Sequence, residues 1–352
     1  MRFQSISLII LIFLIFLRFY STRPVYKNGD FVRITSKVYN EPLIFSDKQY
    51  LKIVGLKVYL PKYPEITYGD RVAVIGQVSE NKLVSPELVE ISQTKSPFYI
   101  LREDLISFYK QNLPEPMASL VAGVVIGSKN MPEGFWNLLK STGTAHIVVA
   151  SGTNVTMLAT FLISSLTLFF TRRNAVFIAI AGIACYVIIS GFDAPIVRAG
   201  IMGSIVFLAQ ERGRLANTWR ILVYSALIML LIKPVWITDL GFILSFVATM
   251  SLMVFQKSID LKLKFVPNIL REGLSTSLAA QIGVAPIIFA TFGQFNLLSP
   301  IINALILWTI PFIMILGAVG GLLGLIVPTI GKLILFILYP LLWYFEKILY
   351  IF

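Results

Sequence analysis

Four long apolar stretches decide what this chain can become. Residues 147–170, 175–189, 237–255 and 301–327 each run for most or all of the length that crosses a bilayer. In hydrocarbon the backbone must satisfy its own N–H and C=O groups, so such stretches fold as helices. A soluble domain carries about 25% charged residues; here 14% are charged and 57% hydrophobic. The sequence predicts a polytopic α-helical membrane protein embedded in a lipid bilayer.

Residue counts close off several chemistries. The single cysteine, Cys185, lies in an apolar run, so an intrachain disulfide framework and a cysteine metal cage are both excluded. The single histidine, His146, excludes multi-histidine zinc and iron sites. Counting leaves only an all-carboxylate site open, and no metal or cofactor is expected. The 30 Lys and Arg against 18 Asp and Glu suggest an anionic partner, but membrane topology draws on the same excess.

The stretch 8–17 between Arg2 and Arg18 has the length of a signal-peptide core. The following Tyr20-Ser21-Thr22-Arg23-Pro24 offers no small-x-small cleavage site. Residues 1–24 are expected to form an uncleaved membrane anchor, with a cleaved signal peptide as the alternative reading. Residues 25–96 differ in character: charges are frequent and short runs are rich in β-formers, as in Phe31-Val32-Arg33-Ile34-Thr35, Tyr50-Leu51-Lys52-Ile53-Val54 and Arg71-Val72-Ala73-Val74-Ile75. Asn28-Gly29-Asp30, Gly69-Asp70 and Glu80-Asn81-Lys82 punctuate them. About five short strands in this length suggest a small all-β barrel of the OB type. Such a barrel binds oligonucleotides or sugars, or serves as an extramembrane scaffold. The region's charges nearly cancel, and no basic stripe with interleaved aromatics shows in the linear sequence.

Residues 97–140 read as interfacial and re-entrant helices. Phe98, Leu101, Leu105, Phe108 and Tyr109 share one helical face, which suggests a helix lying at the interface. Residues 117–126 are too short to span and end at Gly127, so a re-entrant or surface helix is expected. Residues 141–352 form the bundle, with spans expected at 144–170, 174–192, 195–210, 220–234, 236–255, 273–292, 298–327 and 330–352. With the anchor and breaks this makes about eight to ten spans, some broken. The span 298–327 contains Pro311 and a series of glycines, which suggests two pieces.

Basic residues fall on alternate loops: Arg172 and Arg173; Arg212, Arg214 and Arg220; then Lys257, Lys262, Lys264 and Arg271. The positive-inside rule puts these loops in the cytoplasm. Counting back, the N-terminus is inside and the β domain outside.

Ser141-Thr142-Gly143-Thr144-Ala145-His146-Ile147-Val148-Val149-Ala150-Ser151-Gly152-Thr153-Asn154-Val155-Thr156 is the densest polar stretch within the apolar region. Polar groups at membrane depth line a cavity or a helix interface. On a straight helix Ser151 lies about 140° from His146, so the two cannot act as nucleophile and base. Gly152 permits a break that frees backbone carbonyls, as in transporter sites. A small-residue packing face with hydrogen-bonding hydroxyls fits equally well. Arg198 and Asp239 also lie within apolar stretches and need partners or water there. An ion pair between them is one reading. The other has Arg198 facing phosphates on a wet path, with Asn154, Gln281 and Asn303 as donors.

Four motifs carry a resemblance. Gly143, Ala145, His146, Ser151, Gly152 and Val155 match G-x-A-H-h-h-A-h-S-G-h-H-V (h apolar), with Asn154 where the pattern has its second histidine. Gly191 through Met202 is similar to G-x-x-x-S-h-h-R-A-x-h-M, with Pro195 in place of serine. Asp239 through Thr249 is similar to D-x-G-F-x-L-S-F-x-A-T, including Ser245. Gln281, Pro286, Phe292, Asn303 and Pro311 follow in the order of a last core element. Together they resemble the ComEC-type competence family, bacterial inner-membrane proteins that pass single-stranded DNA into the cell, over residues 114–311.

The resemblance implies a multi-pass plasma-membrane channel for single-stranded DNA in natural transformation, not an enzyme. It also implies a transport path through His146, Ser151, Gly152, Asn154, Arg198, Asp239, Ser245, Gln281 and Asn303. Many members add a metallo-β-lactamase-like domain; this sequence, with one histidine and ending at Phe352, is expected to be a form without it. A separate nuclease, a cytoplasmic motor protein and self-association are the partners then implied. Two rivals stand beside the channel: a transporter for another anionic polymer or small solute, and an intramembrane hydrolase using Ser151. Val149 and Thr153 disfavour the hydrolase, since a G-x-S-x-G elbow needs glycines there.

Overall fold

The computed structural model describes residues 2–22, 26–45, 47–93, 96–149, 151–293 and 296–352. The Arg23-Pro24 pair weighed for cleavage, and Ala150 of the polar cluster, lie outside the described residues. Helix α1 (Arg2–Thr22) leads into six strands: β1 (Phe31–Lys37), β2 (Leu43–Ile44), β3 (Lys48–Ile53), β4 (Leu56–Pro61), β5 (Arg71–Ser79) and β6 (Lys82–Ser92).

The strands form one sheet in the order β1-β5-β6-β4-β3-β2, antiparallel except for the β4–β6 pair. β1 and β2 are consecutive in the chain yet stand at opposite ends of the ladder. The bend between them therefore brings the two edges together. Ile34 of β1 and Leu51 and Ile53 of β3 share one core with Val58, Val72 and Val74, although three strands separate β1 from β3. Only a sheet curled on itself allows that. With β1 and β2 counted as halves of one bent strand, this is a five-stranded barrel of the kind expected.

The helices follow: α2 (Pro97–Asn112), α3 (Met117–Ile126), α4 (Glu133–Ser141), α5 (Ala145–Val148), α6 (Gly152–Leu166), α7 (Arg172–Ile189), α8 (Ala194–Glu211) and α9 (Thr218–Ile232). A 3-10 turn (Pro234–Thr238) leads to α10 (Leu240–Lys262), α11 (Asn268–Phe292), α12 (Ser299–Leu307), α13 (Ile310–Ile326) and α14 (Pro328–Ile351). Among the described residues, five helical segments are long and apolar enough to cross a membrane: residues 145–166, α7, α10, residues 270–291 and α14. The pair α12–α13, bent by 48°, makes a sixth if it is one span. Two expected spans fall short of that measure. α8 carries Arg198, Gln210 and Glu211, and α9 has only 15 residues. The chain is a multi-pass membrane protein with a small N-terminal β domain.

The face of α2 expected at the membrane interface is covered by protein instead. Leu105, Phe108 and Tyr109 are buried, and a Cβ added at Gly321 or Gly324 would collide with the Tyr109 and Phe108 rings. The absent side chains of α13 are what admit these rings. The Tyr109 hydroxyl donates to the Gly317 carbonyl at 2.9 Å. α3 is buried along its whole length, so it is an internal helix rather than a surface one. The break expected near Pro311 falls at Trp308-Thr309, with Pro311 in the first turn of α13.

The β domain sits at one end of the bundle. The Tyr68 hydroxyl donates to the carbonyl of Ile188, near the C-terminus of α7. Arg172 and Arg173 open that helix, about 24 Å from Ile188 at 1.5 Å per residue.

Candidate functional site

The polar cluster breaks where its glycine allows. α5 ends at Val148, Val149 is extended, and α6 restarts at Gly152 with Ser151 as its cap. The Ser151 hydroxyl accepts the Thr153 N–H at 3.2 Å, which satisfies one of the donors a helix start leaves open. Ser151 is thus a capping residue. His146 has an exposed side chain on α5. No hydrogen bond joins it to Ser151 among the described residues.

Gly152 faces Arg198. A Cβ added at Gly152 would lie 2.8 Å from a terminal guanidinium nitrogen and 3.3 Å from the Ala199 Cβ. α6 and α8 meet here because the glycine is bare. Arg198 is half-buried and donates from Nε to the Ser245 hydroxyl on α10 at 2.7 Å and from Nη1 to the Met202 sulfur at 3.4 Å. Its guanidinium lies 6.0 Å from the Phe246 ring centroid. The ion pair considered with Asp239 does not form. The Asp239 carboxylate instead accepts the Phe242 N–H at 3.1 Å and caps α10. No carboxylate pairs with Arg198 among the described residues; the ion pairs there are Arg102–Glu41, Lys129–Asp193 and Arg271–Asp260. A hydroxyl positions the guanidinium without neutralising it.

The other expected path residues divide. Asn154, 0% exposed, donates to the Val124 carbonyl of α3 at 2.9 Å, so its present partner is the chain itself. Asn303 is buried between α11 and α12, donating to Ser277 at 2.8 Å and Ser299 at 3.2 Å. Gln281 donates to the Asn296 carbonyl at 3.4 Å. The structure therefore groups Gly152, Arg198 and Ser245 directly. Gln281 and Asn303 stand on α11 and α12, and Asn154 faces α3.

One polar centre was not found from the sequence. Arg102, buried on α2, donates to the carbonyls of Ile126 at 2.6 Å and Ile189 at 2.5 Å, and pairs with Glu41 of the β domain at 3.2 Å. Glu41 also accepts the Ser128 hydroxyl at 2.8 Å and the Lys129 N–H at 2.5 Å. Lys129 reaches Asp193 at 2.6 Å. Burial, reinforced by Tyr99, holds the Tyr68 phenol above its ordinary pKa, so it stays a neutral donor. Five distant segments make this junction, and no single motif contains it. Its only sequence signal is an arginine on the apolar face of α2.

The family model described as Competence protein matches residues 124–352, more than half of the chain. The chain belongs to the Competence protein family. The match includes every expected path residue and runs past residue 311, where the motifs end. ComE operon protein 3 of Bacillus subtilis (strain 168) is 30% identical over 230 residues, covering 63% of this chain and 28% of that protein. The uncharacterized protein YcaI of Escherichia coli (strain K12) is 26% identical over 235 residues, covering 63% of this chain and 31% of its own. The matched region thus spans less than a third of each relative. No solved structure matches. As a Competence protein, the chain places Gly152, Arg198 and Ser245 on three different helices within the matched region, with Arg198 against Gly152 and hydrogen-bonded to Ser245.

Proposed function

We propose that this Competence protein is a plasma-membrane translocator for single-stranded DNA during natural transformation, and not an enzyme. The observation that carries the reading is Arg198. It is a guanidinium within the bundle, held in place by Ser245 and paired with no carboxylate among the described residues. A charge kept unneutralised at such depth is expensive and suits a phosphate that passes. Guanidinium stays charged when desolvated and presents a planar fork of donors, which a lysine cannot reproduce. The orientation proposed has the N-terminus inside and the β domain outside. It is supported by Arg172 and Arg173 lying at the end of α7 away from the β domain.

The test is transformation frequency in a naturally transformable host, with membrane levels measured alongside. Deleting the chain should abolish uptake. Arg198→Lys should lose most uptake and Arg198→Ala all of it, each at near-normal membrane level. Unchanged transformation after deletion would refute DNA as the cargo and leave a transporter for another anionic polymer, for which Arg198 is equally suited.

A further inference from the structure

One end of the barrel meets the bundle. Lys37, Arg71 and Ser92 stand in register there, and the pair Lys48–Pro61 closes the same end of β3 and β4. Hydrogen bonds fix this end to the helices. Tyr68, just before β5, donates to the Ile188 carbonyl at 2.9 Å, and Glu41, after β1, accepts the Ser128 hydroxyl at 2.8 Å. Ile188 is the penultimate residue of α7, a helix long and apolar enough to span. The rim of the barrel therefore lies where a membrane span ends, at the depth of lipid headgroups.

Loops on that rim carry rings that the protein leaves uncovered. Tyr39 is 54% exposed, Phe45 42% and Tyr63 72%. Tyr39 precedes Asn40 and Glu41, which line the junction cavity together with Gly191 and Asp193 of the α7–α8 turn. Between those two, Phe192 is 43% exposed and has a φ of 54°, a conformation uncommon for a bulky residue. Phe45 and Tyr63 share one corner of the rim, since the Phe45 N–H donates to the Lys48 carbonyl at 2.8 Å and the Lys62 N–H to the Asp47 carbonyl at 3.1 Å. Four aromatic residues from four separate turns thus stand at one level.

Two observations choose lipid as what covers them. First, the rings continue a surface that faces lipid. On α7 the residues Phe177, Ile178, Ala181, Ala184 and Cys185 are exposed at helical spacing, and this apolar stripe runs up to the turn that holds Phe192. Second, cations accompany the rings. The Lys62 ammonium lies 5.6 Å from the Tyr63 ring centroid, and Lys48 is exposed at the start of β3. Rings at the headgroup level beside lysines that reach toward phosphate are the composition a bilayer boundary selects.

We propose that Tyr39, Phe45, Tyr63 and Phe192 form a lipid-contact rim that seats the barrel in the headgroup region on its side of the membrane. The barrel is then held by the bilayer as well as by the Glu41–Arg102 junction. This holds whatever the cargo is.

The test uses the full chain in lipid nanodiscs, with a bimane label on single cysteines in a Cys185→Ser background. The variants are Tyr39→Cys, Phe45→Cys, Tyr63→Cys and, as control, Phe31→Cys at the other end of the barrel. Lipids bearing a nitroxide at the headgroup should quench the three rim labels at least about two-fold, as fits rings within about 5–10 Å of the headgroup–acyl boundary. The label at Phe31, up to about 20 Å further along β1, should keep its intensity. Tyr39→Ser with Tyr63→Ser should reduce quenching of the label at Phe45, and Tyr39→Trp with Tyr63→Trp should preserve it. Rim labels quenched no more than the control would overturn the proposal. Rim labels that escape both the nitroxide lipid and aqueous iodide would be covered by a second copy of the chain, which also refutes lipid as the occupant. Where a cysteine variant fails to assemble, Tyr63→Trp keeps a ring in place. Its emission above that of wild type then decides the matter: quenching by brominated lipid supports the rim, and none refutes it.

Discussion

Replacing Gly152 with alanine tests the contact on which the site depends. The added Cβ would sit 2.8 Å from the Arg198 guanidinium and 3.3 Å from the Ala199 Cβ, closer than carbon and nitrogen tolerate. The Ala199 methyl belongs to α8 and cannot turn aside, so the long arginine side chain must yield. Its movement breaks the 2.7 Å bond from Nε to Ser245. A hydrogen bond to a charged group contributes about 1.5–3 kcal/mol. Alanine returns at most about 0.5–1 kcal/mol in backbone entropy over glycine within a helix. The net expectation is a destabilisation of about 1–2 kcal/mol. In an Arg198→Ala background only the 3.3 Å approach to the Ala199 Cβ remains, and Gly152→Ala should be close to neutral. Equilibrium unfolding of the four proteins in mixed detergent–lipid micelles gives the coupling directly, expected at about 1.5–3 kcal/mol. A coupling below about 0.5 kcal/mol would mean that Gly152 and Arg198 do not constrain each other, and the site as described would fall.

Three further expectations use the same approach. Asp239→Ala should cost about 1 kcal/mol as a lost helix cap while Asp239→Asn should not, and neither should couple to Arg198→Ala; a coupling above about 1 kcal/mol in the unfolding assay would restore the ion pair. Glu41→Ala should destabilise by about 3–5 kcal/mol, because it strands the buried Arg102; loss of less than about 1 kcal/mol on thermal or detergent unfolding would show that the junction is not a closed pair. A cysteine at Lys57, in a Cys185→Ser background, should react with an impermeant thiol reagent from outside intact cells, and labelling only after lysis would invert the topology.

Much of the architecture was legible because hydrocarbon leaves so few options. Apolar length placed the spans of α7, α10, α11 and α14, and turn residues placed the strands. The break between α5 and α6 was legible because polar groups and Gly152 stand together. What stayed hidden depends on contacts between distant segments. The apolar face of α2 reads alike whether lipid or protein covers it, and only the glycines of α13 decide. Asn154 and Arg198 look equivalent as polar groups in apolar runs. Yet one is turned to a free carbonyl of α3 and the other to α10, which follows from helix rotation rather than composition. Tyr39, Phe45 and Tyr63 stand on three separate loops of the barrel, so their common rim exists only once the strand register is fixed.

The Glu41–Arg102 junction also bears on the order in which the protein is made. The barrel has its own core and precedes the bundle in the chain, so it has the means to fold before the bundle is synthesised. Glu41 and Tyr68 then await partners encoded much later, at Ser128-Lys129 and at the Ile188–Asp193 turn between α7 and α8. A helical hairpin α7–α8 threaded upside down would offer Arg172 and Arg173 where Ile188 and Ile189 belong, and would leave Arg102 without the Ile189 carbonyl. Docking of the barrel as it stands therefore requires the Ile188–Asp193 end of the α7–α8 pair to face it.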